Sequence, residues 1–288
     1  MTSSNQNERM TAAARQELLN LPCRMAGAET YKPAIRVHEF SSRGVQSRTP
    51  VPQLGRAVHT HSYIERDLLL VTLFNGDMRN FQEQYALDRG ITLGAAKALR
   101  IRHPVVGKKV KEPLVMTMDA LVTKASHPAG LLYKQGWDVK PHSQLENPRV
   151  LEKLSLHRAY CHQLNFTHHI FTEQSVPKTV LKNIDWLRAA LPAEGELLLI
   201  AGLFTHLPRL MLAEVAKGKF NGIPIYEYAL GFDLRNKLPR GAGLRVFKYL
   251  AWTRRVYIDL NVERPARQPV DSNRKAESVH IKTFLNNY

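Results

Sequence analysis

Three acids and a lysine are the residues of this chain best suited by type and spacing to do chemistry: Glu65, Asp119, Asp138 and Lys140. In Trp137-Asp138-Val139-Lys140 the alternation of a strand sends Asp138 and Lys140 to one face, and Trp137 and Val139 to the other. Carboxylates at adjacent strand ends, with a lysine beside them, suit metal-dependent hydrolysis of a phosphodiester. The acids hold a divalent cation against the phosphate, and the lysine orients or acidifies the attacking water. Asp119 and Asp138 are then direct ligands of Mg²⁺, with Mn²⁺ a possible substitute, joined by the backbone carbonyl of Val139. Glu65 completes the shell directly or through water, because Mg²⁺ takes oxygen donors and keeps several waters. The bland alternative is a salt bridge between Asp138 and Lys140 on a solvent-facing strand. An acid-x-lysine triplet arises by chance about once in a chain this long.

The elements that must position these residues follow from periodicity. Residues 61–74 carry Ile64, Leu68, Val71 and Phe74 at helical spacing that buries one side, with Glu65 in the first turn. Residues 79–87 read as a strand, Asp88-Arg89-Gly90 as a turn, and the stretch to Arg100 as a short helix. Residues 114–122 and 130–140 read as two strands joined by a loop. In the first, Thr117 and Asp119 share a face opposite Met116 and Met118. A helix opens at Pro148 and runs to about Gln163, with Leu151, Leu154 and Arg158 along one side. A strand at 167–172 and a helix at 177–191 follow, which makes a mixed α/β core. Residues 41–53, rich in Ser, Arg, Gly and Pro, read as a loop or linker, and residues 10–19 as a short amphipathic helix. Beyond Leu191 the pattern is mostly helical, with a strand at 255–260. A winged-helix-like unit fits that content, though not uniquely. The expected divisions are an arm at 1–28, a nuclease-like domain at 29–190, and a C-terminal domain with a basic tail at 191–288.

A chain of 288 residues is long enough for two domains, and 44% hydrophobic with 23% charged residues is ordinary for a globular protein. The formal net charge of +16 is not ordinary. It favours a polyanionic partner, nucleic acid above all. Lys108, Lys109 and Lys111 precede the strand that ends in Asp119 and could reach a phosphate backbone. Arg245, Lys248, Arg254 and Arg255 interleave with Phe247, Tyr249, Trp252 and Tyr257. That pattern suits a DNA or protein contact face, or equally an amphipathic core helix with basic solvent residues. Two cysteines, Cys23 and Cys161, are too few for a disulfide framework, so a reducing, cytoplasmic compartment is expected. Cys161 reads as a small core residue. The polar N-terminus lacks a signal-peptide pattern, and no apolar run reaches membrane-spanning length. Twelve histidines invite a zinc site. Adjacent His168 and His169 face opposite ways on a strand, however, and His157 and His162 diverge on a helix. No phosphate-cradling Gly-Lys loop occurs, which argues against an NTPase.

These residues fall in blocks that resemble the TnsA endonuclease family of the heteromeric TnsA–TnsB–TnsC transposases. The blocks are Gly55-Arg56-Ala57-Val58-His59 with Ser62 and Glu65, then Phe81-Gln82-Glu83-Gln84-Tyr85-Ala86-Leu87, and His103-Pro104-Val105. Val115-Met116-Thr117-Met118-Asp119, Val139-Lys140-Pro141 and Arg149-Val150-Leu151-Glu152-Lys153-Leu154 follow. Ile170-Phe171-Thr172 and Asn183-Ile184-Asp185-Trp186-Leu187 close the series. The resemblance implies a restriction-endonuclease-like core, a mixed sheet with helices on both sides, and a mostly helical, winged-helix-like C-terminal domain. It places the catalytic positions on Glu65, Asp119, Asp138 and Lys140. The family member compared carries glutamine where this chain has Asp138. The implied role is Mg²⁺-dependent cleavage of the 5′, non-transferred strand at transposon ends, beside a TnsB-like recombinase and a TnsC-like ATPase. The alternative role is a DNA-binding adaptor between recombinase and ATPase, with little catalysis of its own.

Overall fold

The computed structural model describes residues 31–34, 46–106, 112–192, 200 and 202–283. The expected helix at 10–19, together with Lys108, Lys109 and Lys111, lies outside them. The chain divides into two compact units. The first holds residues up to Leu69, Asp77–Ser175 and the stretch from Lys282. The second holds Leu70–Gly76 and Val176–Ile281.

The first unit is built on a mixed four-stranded sheet. Its strands are β3 (Met78–Ala86), β6 (Thr117–Ala125), β7 (Leu132–Val139) and β8 (Thr167–Phe171), in the order β3-β6-β7-β8. β3 and β7 both run antiparallel to β6, and β8 runs parallel to β7. A parallel neighbour requires a crossover, which helix α3 (Pro148–Gln163) supplies between β7 and β8. A hairpin of β1 (Ser47–Val51) and β2 (Arg56–Thr60) precedes the sheet, and β4 (Val105–Val106) pairs with β5 (Glu112–Pro113). Part of the expected linker at 41–53 is therefore a strand. Thr49 and Val51 are buried while Arg48 and Pro50 are exposed, an alternation that the Ser and Pro content obscured.

Helices α2 (Arg89–Ala98) and α3 pack on one face of the sheet. Ala95 and Ala96 from α2, and Leu156, Tyr160 and Cys161 from α3, join Tyr85, Leu87, Met116, Met118 and Leu121 in one core. Asp88 belongs to α2 as its N-cap, its Oδ1 accepting from Ile91 N at 3.0 Å. Asn147 caps α3 in the same way, and Pro148 opens it. The side of α3 lined by Leu151, Leu154 and Arg158 is only partly its buried face. Leu154, His157, Tyr160 and Cys161 are buried and Arg158 is exposed. The close approach of α3 depends on Gly136 in β7. A Cβ there would stand 2.4 Å from Met118 Sδ and 2.6 Å from Cys161 Sγ. Helix α1 (Tyr63–Asn75) also differs from expectation, since every residue from Leu68 to Phe74 is buried rather than one side.

The second unit holds α4 (Lys178–Arg188), α5 (His206–Ala216), α6 (Ile225–Arg235) and α7 (Ala242–Trp252). Helix α7 contacts the other three, and its Val246, Phe247, Leu250 and Ala251 are buried. Asp233 accepts from Gly241 N and Gly243 N at 2.7 and 2.6 Å, placing a carboxylate on the N-terminus of α7. A Cβ at Gly243 would lie 2.5 Å from Ala229 O, so glycine is what lets α6 and α7 approach this closely. Among the described residues of this unit the only β-pairing is an isolated bridge between Pro224 and Pro269, so no wing strands accompany the helices. The strand expected at 255–260 is replaced by irregular chain whose backbone is bonded to side chains. Gln268 pairs with both N and O of Asp259, and Asn183 Nδ2 donates to Leu260 O and Val262 O.

Candidate active site

Asp119 stands where two strands part. The β6–β7 ladder runs from Ala125↔Leu132 to Ala120↔Trp137. One residue further, the Asp119 carboxylate takes over, its Oδ2 accepting from Val139 N at 2.7 Å. The same oxygen accepts from Lys140 Nζ at 2.7 Å, and Lys140 Nζ also donates to Val139 O at 2.9 Å. Lys140 N continues the other edge by donating to Phe171 O at 3.0 Å. Asp119, Val139 and Lys140 thus form one hydrogen-bonded corner at the end of the sheet. Burial works against the Lys140 ammonium. The charges of Asp119, Asp138 and Glu65 and the hydrogen bond to Asp119 outweigh it, and its pKa lies above the usual lysine range.

Glu65 reaches this corner from the first turn of α1. Ser62-Tyr63-Ile64-Glu65 is a capping box. Glu65 N donates to Ser62 Oγ at 3.2 Å and Ser62 Oγ donates to Glu65 Oε1 at 2.9 Å, while His61 N donates to Oε2 at 3.0 Å. Burial and the negative charge of Asp119 push the Glu65 carboxyl up to about 7, against the hydrogen bonds from His61 and Ser62 and the charge of Lys140. An acid raised on folding ionises in the unfolded chain first. Between pH 4.5 and about 7 the unfolded chain therefore holds fewer protons, and stability falls as pH rises through that window. Thermal melting of metal-free protein at pH 5 and pH 7.5 should show this loss, and Glu65→Gln should shrink it. An identical pH dependence in the two proteins would contradict the assignment.

Asp138 occupies the expected strand position but is turned into the protein. It is 1% exposed. His157 Nδ1 donates to its Oδ1 and Oδ2 at 2.8 and 2.9 Å, and His168 Nε2 donates to Oδ2 at 2.7 Å. Burial alone would raise the pKa of this carboxyl. The charges and hydrogen bonds of the two histidines reverse that and hold it far below the usual carboxylate range. An exposed Asp138–Lys140 salt bridge is therefore not what the chain makes. Neither histidine was singled out as a partner by spacing, although His157 shares the apolar face of α3 with Leu154 and Cys161. His169 does face the opposite way, stacked on Trp137 with ring centroids 4.6 Å apart. A further unanticipated feature is Gln84, buried with φ 46°, between residues that pair with Ala120 and Met118. Side-chain-bearing residues adopt that conformation rarely, and often beside functional sites. Cys161 is a core residue, its thiol pushed up to about 12 by burial and then by Asp138.

Among the described residues no three His, Cys, Asp or Glu side chains are arranged to hold a metal ion by themselves. Mg²⁺ does not need such a cage, since it commonly binds through one or two carboxylates and retains water. Two facing acids, Glu65 and Asp119, with the Val139 carbonyl between Asp119 and Lys140, are hard oxygen donors of that kind. The Glu65 carboxyl is raised first by burial and then by the charge of Asp119, and a cation there would offset both.

Of the basic residues considered for DNA, several are engaged in the second unit. Arg245 donates to Ala190 O at 3.0 Å, its guanidinium lying over the Phe204 ring. Lys248 sits 4.5 Å from the centroid of Trp186. Arg254 donates to Asn75 O and to Ser278 Oγ, and Arg255 is exposed. A cationic group not foreseen lies nearer the acids. Lys153 on α3 has its pKa lowered by burial and by the positive charges of Arg149 and Lys140.

A mixed sheet with acids and a lysine at its parting strand ends has the features of a nuclease-like α/β core. Residues 75–173 match the family described as TnsA-like endonuclease N terminal, and residues 175–260 match TnsA endonuclease C terminal. The chain belongs to the TnsA endonuclease family. It is 32% identical over 173 residues to the Escherichia coli protein named Transposon Tn7 transposition protein TnsA. That similarity spans 60% of this chain and 61% of the relative. Among the described residues no helix is long and apolar enough to cross a membrane.

Proposed function

We propose that this chain is the endonuclease subunit of a heteromeric transposase, cutting the 5′, non-transferred strand at the transposon ends during cut-and-paste transposition. The observation that carries the reading is the corner of Asp119, Val139 and Lys140, which lies inside the stretch that matches the TnsA-like endonuclease domain, with Glu65 facing it from the helix before that stretch. Asp119, Asp138, Glu65 and the Val139 carbonyl would hold Mg²⁺, or Mn²⁺ in its place. When bound, the cation supplies a Lewis acid for the phosphate oxygens and lowers the pKa of the attacking water. Lys140, protonated at neutral pH, would offer hydrogen-bond donors and positive charge to the pentacoordinate transition state at phosphorus rather than acting as a base. Lys153 and Arg149, at the start of α3, extend the positive edge along which the DNA backbone would run. The +16 net charge fits a DNA substrate. The printed name of the relative, a transposition protein, supports a role in transposition, and the partners of this proposal are a TnsB-like recombinase and a TnsC-like ATPase. The helical second unit is the region we assign to partner or DNA contact.

Strand-resolved cleavage of end-containing DNA, with and without the recombinase and ATPase, tests the reading. The expected product is a nick at the 5′ end of the element that requires Mg²⁺ and is lost with chelator. Cutting of both strands of any DNA by the chain alone would instead indicate a solitary nuclease.

A further inference from the structure

The proposed reaction gives no role to the two imidazoles that enclose Asp138. They reach it from different elements, His157 from α3 and His168 from β8, and both side chains are almost wholly buried. The approach is built into the packing. Gly136 admits α3 against β7, Cys161 fills the contact, and His157 lies one helical turn earlier on the same face. Donation fixes the ring states at the contact: His157 carries its hydrogen on Nδ1 and His168 on Nε2. An ionised carboxylate has about four lone-pair sites. His157 spans both oxygens and His168 takes Oδ2, so Oδ1 retains capacity for one more partner.

We propose that His157 and His168 are positioning residues, which lock the rotation of the Asp138 carboxylate so that Oδ1 is presented to the cation of the cleavage site. The inference rests on the metal-dependent reading above. Aspartate is short and, without these donors, would be free to rotate away or be forced out of the core. The two histidines are what make a buried acid workable at this position. Neither touches the DNA or the cation. Groups bonded to a metal ligand in this way commonly change metal affinity by about 10–100-fold when removed.

Calorimetric titration of MnCl₂ into the purified full-length chain, without DNA, provides a readout independent of cleavage. His168→Leu deletes the donor, whereas His168→Gln keeps an N–H near the Nε2 position. His157→Leu and His157→Asn make the equivalent pair for Nδ1, and circular dichroism checks that each variant is folded. The leucine variants should bind Mn²⁺ about 10–100-fold more weakly, and the amide variants close to wild type. In an Asp138→Asn background the leucine changes should bring no further loss of affinity. Unchanged affinity in both leucine variants would overturn the positioning role, as would an equal loss in the Asp138→Asn background. Asp119→Ala separates the two levels of the argument. If it too leaves Mn²⁺ affinity intact, the metal site itself is misassigned. If it weakens binding while the histidine variants do not, only the positioning role falls.

Discussion

Asp119→Ala is expected to cut the 5′ strand more than about 100-fold more slowly than the wild-type chain while still assembling with its partner subunits. Removal of a group one bond away from a metal ligand costs about 10–100-fold, so removal of a ligand should cost more. The same carboxylate also accepts from Val139 N and Lys140 Nζ, both at 2.7 Å. Alanine therefore leaves a backbone N–H without its acceptor, a loss of about 1–3 kcal/mol in stability where that group is buried. Asp119→Asn resolves the ambiguity, because its Oδ1 can still accept from Val139 N while the negative charge is gone. Both variants should be equally inactive, and the asparagine variant the more stable. In cells the proposed role predicts co-integrates in place of cut-and-paste products, because a TnsB-like recombinase would still join the 3′ ends. Retained 5′ cleavage by Asp119→Asn would remove the acid from the mechanism. If Asp119→Ala and Lys140→Ala both leave the products unchanged while deletion of residues 191–288 stops transposition, the adaptor role is the right one.

Local order in this chain was legible and convergence was not. Pro148 with Asn147 before it marks the start of α3, and the alternating run that ends in Trp137-Asp138-Val139 marks the end of β7. Such signals live within one element. The burial of Asp138 depends on α3 packing against β7 and on β8 lying beside it in the sheet, which no spacing in the sequence records. Spacing sets His157 against His162 on one helix, and cannot show that His157 meets His168 from another element at Asp138. Glu65 shows the reverse difficulty. Ser62-x-x-Glu65 is a helix-start signature in its own right, and only the third dimension shows that the capping carboxylate also faces Asp119. In residues 255–260 apolar content suggested a strand, but strand formation needs a backbone partner. Gln268 and Asn183 took those backbone groups instead.

The largest stability loss is expected from Arg56→Ala, outside the hydrogen-bonded corner of Asp119, Val139 and Lys140. Glu83 is 1% exposed in the middle of β3. Arg56 meets it with two hydrogen bonds, Nη1 to Oε1 and Nη2 to Oε2, both at 2.8 Å. His59 N donates to Oε1 at 3.1 Å, Arg56 Nη2 also donates to Phe81 O, and the guanidinium lies 5.1 Å from the centroid of the Tyr31 ring. The planar fork is matched to a carboxylate in a way that lysine cannot reproduce. With Arg56 gone, the Glu83 charge stays buried without its counter-ion. Such losses run to about 3–5 kcal/mol, a fall in Tm on the order of 10 °C. Arg56→Lys should recover little of it. Arg56→Met combined with Glu83→Leu should recover most, because removing both charges also removes the desolvation cost. Thermal melts of the four proteins supply the comparison. Equal destabilisation of Arg56→Ala and the double variant would show that packing of the arginine stem, not the buried charge, is what this pair contributes. The pair matters to the site through register. Glu83 is the partner of Ala120 across the β3–β6 ladder, the residue next to Asp119, so the ion pair anchors the strand that carries the acid.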